Sequence, residues 1–450
     1  MRRLFLIIAL LIPTAGKLLA ADAPYDVIQR SYAPYMSSDD PLDFAMKVRS
    51  LADDPYKFWR GSKDLFFIWC KSNTTDWLAD QGAYLPNHGD LHLGNIGTYA
   101  AEGGWGKLAF GMVDFDDSAV LPFQIELLQG LITLELTARQ NHLALDEAAD
   151  QQLLKNLVDS YRTAVNSRRN ANNLLLDEQD KTLAKMLKRA SVSYERELDD
   201  WVVEDKFRSI VASEKGKLKD ILRPAMQRAD EFADGVAQAI SNEPDFKKLM
   251  KFSSASQVRA AMKDAVQRTR LASSGSQGLK KYLILLQKPL HGWDHDAIIY
   301  LKQEIPSAAE RSGVARSSLT PGQRLKQDMD RMTDPLPFIN SWCEIGSESY
   351  WVSFKEPWSD ELTPDDVKTF DDLVHMAHIW GTVAGATHRE QGRFAIILPK
   401  LTATLTSEIQ LRSKQFVTKL DADFDAFKAD ARVAEQVSRA QSAIESLSHR

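Results

Sequence analysis

An α+β chain is predicted here from three features. Long segments carry apolar residues three and four positions apart, as in Leu153, Leu154, Leu157, Tyr161 and Ala164, which is the spacing of amphipathic helices. The runs K-K-Y-L-I-L-L-Q and A-I-I-Y-L-K-Q-E flank a turn at His291-Gly292-Trp293 and read as an antiparallel hairpin with a longer loop. Between Leu85 and Pro122, one short stretch gathers carboxylates, imidazoles and glycines more densely than any other part of the 450 residues.

Composition sets the bounds. Apolar residues at 44% and charged residues at 26% are ordinary for a soluble globular protein. With 56 Lys+Arg against 62 Asp+Glu, the net charge is −6, so the chain carries no nucleic-acid footprint of clustered excess base. Arg2 and Arg3 precede an apolar run from Leu4 to Pro13, and small residues follow to Ala21. That is the layout of a secretory signal peptide cut near Ala20 or Ala21, with an uncleaved anchor as the alternative. The expectation is export to the periplasm or beyond, with no transmembrane span after cleavage. Cys70 and Cys343 are the two cysteines. They could form one bridge, but Cys70 sits in F-F-I-W-C, where a buried free thiol is the plainer reading.

The elements follow in order. Residues 22–55 are polar and turn-rich, ending in a short amphipathic segment to Leu51. L-F-F-I-W-C, after F-W-R-G, is too apolar for the surface and reads as a buried strand or short core helix. Gly89, Gly94 and Gly97 suit a loop with unusual backbone angles. Leu108 to Val113 is a short strand ending at Asp114. Leu121 to Thr137, with few charges, is a helix buried on most of its surface that starts after Pro122. From Asp146 to Ala272 the pattern is helical, including Asp177–Leu187, Ser193–Val203 and Leu218–Ala239. A glycine-punctuated turn then opens the hairpin. Pro321–Met332 is a helix, Tyr350–Phe354 a strand, and the chain is helical again from Thr363 and from Leu401 to the end.

The chemistry concentrates in L-P-N-H-G-D-L-H-L-G-N-I-G and L-A-F-G-M-V-D-F-D-D-S-A-V-L-P. Asp90, in a glycine-containing loop, can accept a proton from an attacking hydroxyl. Asn95, five residues later, and Asp114, at a strand end, can supply oxygen to a divalent cation, since Mg²⁺ usually takes one or two carboxylates plus substrate phosphate. This is the division of labour in kinase-type phosphoryl transfer. The offset in H-G-D-L-H-L-G-N matches a kinase catalytic loop. His88 and His92, four apart, also admit a metal-hydrolase reading with Asp90 and Asp114. Arg60 holds an acidic group of the site or is simply a buried, paired arginine. Asp116 and Asp117 add metal ligands or cap the next helix. His388, in A-T-H-R, is by default a core-packed histidine.

H-G-D-L-H-L-G-N-I followed by V-D-F-D-D resembles the catalytic loop and metal-binding aspartate of aminoglycoside phosphotransferases and their kinase-like relatives. More closely, the chain resembles the bacterial family called domain of unknown function 2252. The likeness runs from about residue 55 to beyond 390 and includes F-W-R-G, G-S-Q-G, L-K-Q-E, G-Q-R-L and A-T-H-R. It implies a protein-kinase-like, two-lobed fold. After the signal peptide (1–20), residues 21–145 would form the catalytic-loop half and 146–270 a helical insertion. Residues 271–355 would form a small antiparallel β lobe, and 356–450 the C-terminal helical part of a mainly helical large lobe. The order is permuted: the glycine turn (Gly275, Ser276, Gly278) and the strand lysine Lys302 follow the catalytic loop. Backbone N–H groups of such a turn can cradle phosphates, and Lys302 could pair with them. The same residues also read as a plain hairpin-entry loop and a surface lysine.

The function implied is an exported, Mg²⁺-dependent phosphotransferase that uses ATP or another nucleotide on a small-molecule or other unknown acceptor. A non-catalytic periplasmic ligand-binding or interaction protein on the same scaffold is the alternative, because export carries the chain to a compartment poor in ATP. Metal-dependent hydrolysis is the third reading.

Overall fold

The computed structural model describes residues 22–36, 41–102, 107–177, 180–212, 218–270 and 276–448. The proposed signal peptide lies outside them. The fold is α+β. A seven-stranded antiparallel sheet has the strand order Ser341–Ile345, Glu348–Phe354, Ala297–Glu304, Lys281–Leu286, Met262–Arg270, Leu218–Pro224 and Ile210–Ala212. Two small antiparallel pairs, Tyr84–Asn87 with Ala119–Pro122 and Ile96–Ala100 with Leu108–Met112, carry the polar stretch.

Several local expectations are corrected. Residues 22–55 are not mainly turns: helices Pro24–Tyr32 and Pro41–Leu51 fill the stretch, and Pro55–Gly61 follows. Each opens on a proline, which fits the first helical turn because its missing N–H would be unpaired there anyway. F-F-I-W-C, by contrast, takes the core-helix reading of its two, within the helix Lys63–Asn73. The segment 146–270 is not wholly helical. Leu218–Pro224 is a strand, the following helix begins only at Ala229, and Met262–Arg270 is the strand beside the hairpin. The segment thus supplies three strands of the same sheet as the hairpin, rather than standing apart as a helical insert. Ser193–Val203 ends its helix at Trp201 and continues into the two-residue strand Val202–Val203.

Two large hydrophobic cores hold the molecule. One centres on the helix Phe123–Gln140, buried from Phe123 to Ala138, as its near-absence of charge requires. The long helix Phe370–Glu390 packs against Glu147–Asn166 at backbone distance: a Cβ on Gly381 or Gly385 would sit 2.4 Å from the carbonyl oxygen of Leu157 or Tyr161. The other core lies on one face of the sheet under the helix Ala229–Asn242. Cys70 belongs to the first and Cys343 to the second, both buried and free, so the two do not form a bridge. Among the described residues, no helix is long and apolar enough to cross a membrane.

Candidate functional site

The loop that carries Asp90 is pinned at both ends. It leaves the strand Tyr84–Asn87, whose antiparallel partner Ala119–Pro122 follows the second aspartate group, with Asn87 opposite Ala119. Gly89 (φ +77°) passes so close to that group that a Cβ would lie 1.9 Å from the Asp117 carbonyl oxygen. Only glycine permits both the angle and the approach. His88 ties the two segments together: Nε2 donates to the Val113 carbonyl at 2.8 Å, and Nδ1 accepts from the Asp90 N–H at 3.3 Å. Burial lowers its pKa, so the imidazole is neutral and structural.

Asp90 is buried, and its Oδ1 lies 2.8 Å from Nζ of Lys63, an ion pair without hydrogen-bond alignment. The same ammonium sits 3.0 Å from the centre of the Trp59 ring. Desolvation pushes the Asp90 carboxyl up to about 7, with Lys63 opposing the rise and Asp117 adding to it. Burial also brings Lys63 down to about 8. A carboxylate with a pKa near neutrality is suited to general-base work. His92 lies 3.6 Å from Asp90, and its Nε2 accepts from Arg60 Nε at 2.9 Å. Burial and the Arg60 charge hold His92 well below its usual range. Arg60 is therefore a buttress of His92. Both ring nitrogens of His88 and Nε2 of His92 are turned to these partners, while the buried Nδ1 of His92 has no hydrogen-bond partner.

Asn95 hands its amide Nδ2 to the Asp90 carbonyl at 2.8 Å, while its own carbonyl accepts from the Val113 N–H at 2.9 Å. Asp114 follows directly, in the left-handed region (φ 62°), a conformation that costs a non-glycine residue roughly 1–2 kcal/mol. Its side chain is 45% exposed, whereas Lys302, which pairs with both Asp114 and Asp116, is buried. Burial alone would raise the Asp114 carboxyl, but Lys302 outweighs it and holds the group well below the usual carboxylate range. Burial and the Asp114 charge push Asp116 up to about 7. Asp117 accepts from the Ala308 N–H at 2.6 Å, so it caps a short helix far along the chain. Arg324 spans the turn behind them, donating to the Ser118 carbonyl and hydroxyl and to the Asp116 carbonyl.

The glycine turn is less tied to this centre. Gly275 lies outside the described residues. Gly278 (φ +87°) packs on Met36, and the Ser276 carbonyl accepts from Lys281 Nζ at 2.7 Å. Neither has a described bond to Asp114. Four further candidates were not singled out from the sequence: Lys63, Lys281, Arg324 and Glu304, the last buried with Oε1 unpartnered. Arg324 and Glu304 lie in the quoted motifs G-Q-R-L and L-K-Q-E, and Lys281 heads an apolar strand. His388 also does more than pack. Its Nδ1 meets the Tyr161 hydroxyl at 2.6 Å and its Nε2 the Glu126 carboxylate at 2.6 Å, and Glu126 accepts from the His88 N–H at 2.7 Å.

Among the described residues, no group of three His, Cys, Asp or Glu side chains converges as an all-protein metal site. A Mg²⁺ held largely by substrate phosphate needs less. Asp114, half-exposed, follows Val113, whose N–H bonds to the Asn95 backbone carbonyl, so the two residues that would offer oxygen to such an ion lie on paired segments. Residues 40–430 match the family described as uncharacterized protein conserved in bacteria (DUF2252). No curated protein and no solved structure matches the chain.

Proposed function

We propose that this chain, which belongs to the DUF2252 family of bacterial proteins, is an exported, Mg²⁺-dependent phosphotransferase with a permuted kinase-like arrangement. The observation that carries the proposal is the meeting of Lys302 with Asp114 and Asp116, 188 and 186 residues earlier in the chain. A strand lysine, a half-exposed aspartate at a strand end and an asparagine bonded to the base loop are the protein parts that phosphoryl transfer requires.

In this reading Asp90 takes the proton of an acceptor hydroxyl as its oxygen bonds to phosphorus and the bond to the leaving phosphate breaks. Asp90 is half-ionised near pH 7, where a base both exists in the right form and holds the proton well. Lys63 stabilises the ionised form. Asn95 and Asp114 would hold Mg²⁺, which when bound neutralises phosphate charge. Lys302 would exchange its carboxylate partners for phosphate oxygen. His88, through Glu126 and His388, fixes the loop to the helical core. The acceptor is unidentified, and the donor is ATP or another nucleotide.

A thermal-shift series tests this. Mg²⁺-nucleotide should raise the unfolding midpoint of the wild type and of Asp90→Ala, while only the wild type turns nucleotide over with an acceptor. At 100 times Kd the expected stabilisation is about 2.7 kcal/mol. Stabilisation without turnover under any acceptor would instead favour a binding protein on this scaffold.

A further inference from the structure

Beyond Lys302, the sheet carries other cations at the same level. Lys281 is the direct antiparallel partner of Lys302, and neighbours so paired point to the same face roughly 5 Å apart. Continuing the register Tyr282–Gln267 places Arg268 opposite Lys281, and Arg270 two residues on shares its face. Four cations thus cross three adjacent strands in one stripe, on the face where Lys302 meets the acidic loop.

Their partners differ. Lys302 has Asp114 and Asp116, and Arg268 has Asp220 at 3.0 Å. Lys281 is buried, and its ammonium donates to the Ser276 carbonyl; no described carboxylate lies within ion-pair distance of it or of Arg270. Buried lysines are rarely left without an anionic partner. A small polar cleft, open to solvent, lies against this pair. Arg268, Arg270, Gln277, Gly278 and Lys281 line it, together with Asp43. The buried Oε1 of Gln277 has no hydrogen-bond partner, while its Nε2 donates to the Arg270 carbonyl at 2.7 Å.

We propose that Lys281 and Arg270, one and two strands over from Lys302, form a second anion subsite that takes a further phosphate of a polyphosphate donor. This rests on the phosphotransferase reading for its substrate class, and it narrows that class: the donor carries at least two linked phosphates rather than a single phosphoryl group. Lys302 holds the phosphate next to Asp114, and Lys281 with Arg270 holds the next along the stripe. Lys281 has to release the Ser276 carbonyl or share its three N–H groups with the ligand, which an ammonium can do.

The test titrates the full chain calorimetrically with inorganic phosphate, pyrophosphate and tripolyphosphate, in the wild type, Lys281→Met, Arg270→Gln and Lys281→Arg. Affinity should rise with phosphate number in the wild type. Lys281→Met and Arg270→Gln should each lose about tenfold for tripolyphosphate, as expected for removal of one charge-assisted contact, and stay within twofold for inorganic phosphate. Lys281→Arg, which keeps the charge, should retain most of the affinity and controls for misfolding. Equal tripolyphosphate affinity in wild type and Lys281→Met overturns the subsite, as does an equal loss for all three probes. The two readings separate cleanly. If no nucleotide is ever turned over yet tripolyphosphate binding depends on Lys281, the enzyme reading falls and the subsite stands. If Asp114→Ala abolishes Mg²⁺-nucleotide binding while Lys281→Met changes nothing, the reverse holds.

Discussion

Replacing Lys63 with methionine tests how Asp90 is tuned, and it needs no substrate. In the wild type, burial holds the Asp90 carboxyl at about 7, well above an unfolded value near 3.9, although Lys63 opposes the shift. Between pH 4 and 7 the folded state therefore keeps a proton that the unfolded chain has lost. Stability falls as pH rises through that window. Without Lys63 the carboxyl moves higher still, and the fall continues to a higher pH. Each unit of further shift costs the variant about 1.4 kcal/mol once both forms are above their pKa. Lys63 itself adds to the difference in the same direction. Its folded pKa of about 8 lies below the unfolded value near 10.4, so the wild type gains stability from pH 8 to 10, and the methionine variant does not. Urea unfolding at pH 5.5, 7 and 8.5 should give a gap between wild type and Lys63→Met that is smallest at pH 5.5 and widens by at least about 1.4 kcal/mol by pH 8.5. A gap that is constant with pH, or widest at pH 5.5, would refute the proposed coupling.

Other outcomes follow from the same geometry. Gly89→Ala should cost at least about 3 kcal/mol or yield insoluble protein, because the new Cβ meets the Asp117 carbonyl at 1.9 Å; solubility and the unfolding midpoint check it. His388→Ala leaves the buried Glu126 carboxylate short of a partner and should destabilise by about 3–5 kcal/mol in chemical denaturation. Cys70 and Cys343 lie in different cores, so mass spectrometry should find both thiols unmodified by alkylating agent in the native protein and both modified after unfolding. A reductant should leave the unfolding midpoint unchanged.

The candidate residues Asp90, Asn95 and Asp114 were singled out by their spacing and Lys302 by L-K-Q-E, and the fold brings Lys302 to Asp114. Lys63 and Lys281 left little trace, because a lysine beside apolar residues usually buries its stem and keeps its head in water. Here the heads are buried, against Trp59 and Asp90 in one case and the Ser276 carbonyl in the other. The strands Leu218–Pro224 and Met262–Arg270 were read as helix for a related reason. Asp220 and Arg268 pair across them, so a charged rung stands where hydrophobic alternation would have marked a strand. The early helices were hidden by their own prolines, which signal turns in isolation but here open helices. Gly278 takes the left-handed angle its motif suggests (φ +87°), and a Cβ there would meet Met36.

Calorimetric titration of Mg²⁺-nucleotide into the wild type and Asp114→Ala tests the central claim. Asp114 is half-exposed and its partner Lys302 remains paired with Asp116, so the variant should fold with an unfolding midpoint close to that of the wild type. The account predicts metal-dependent binding in the wild type and its loss in the variant. Equal binding in both proteins, with or without Mg²⁺, would contradict it.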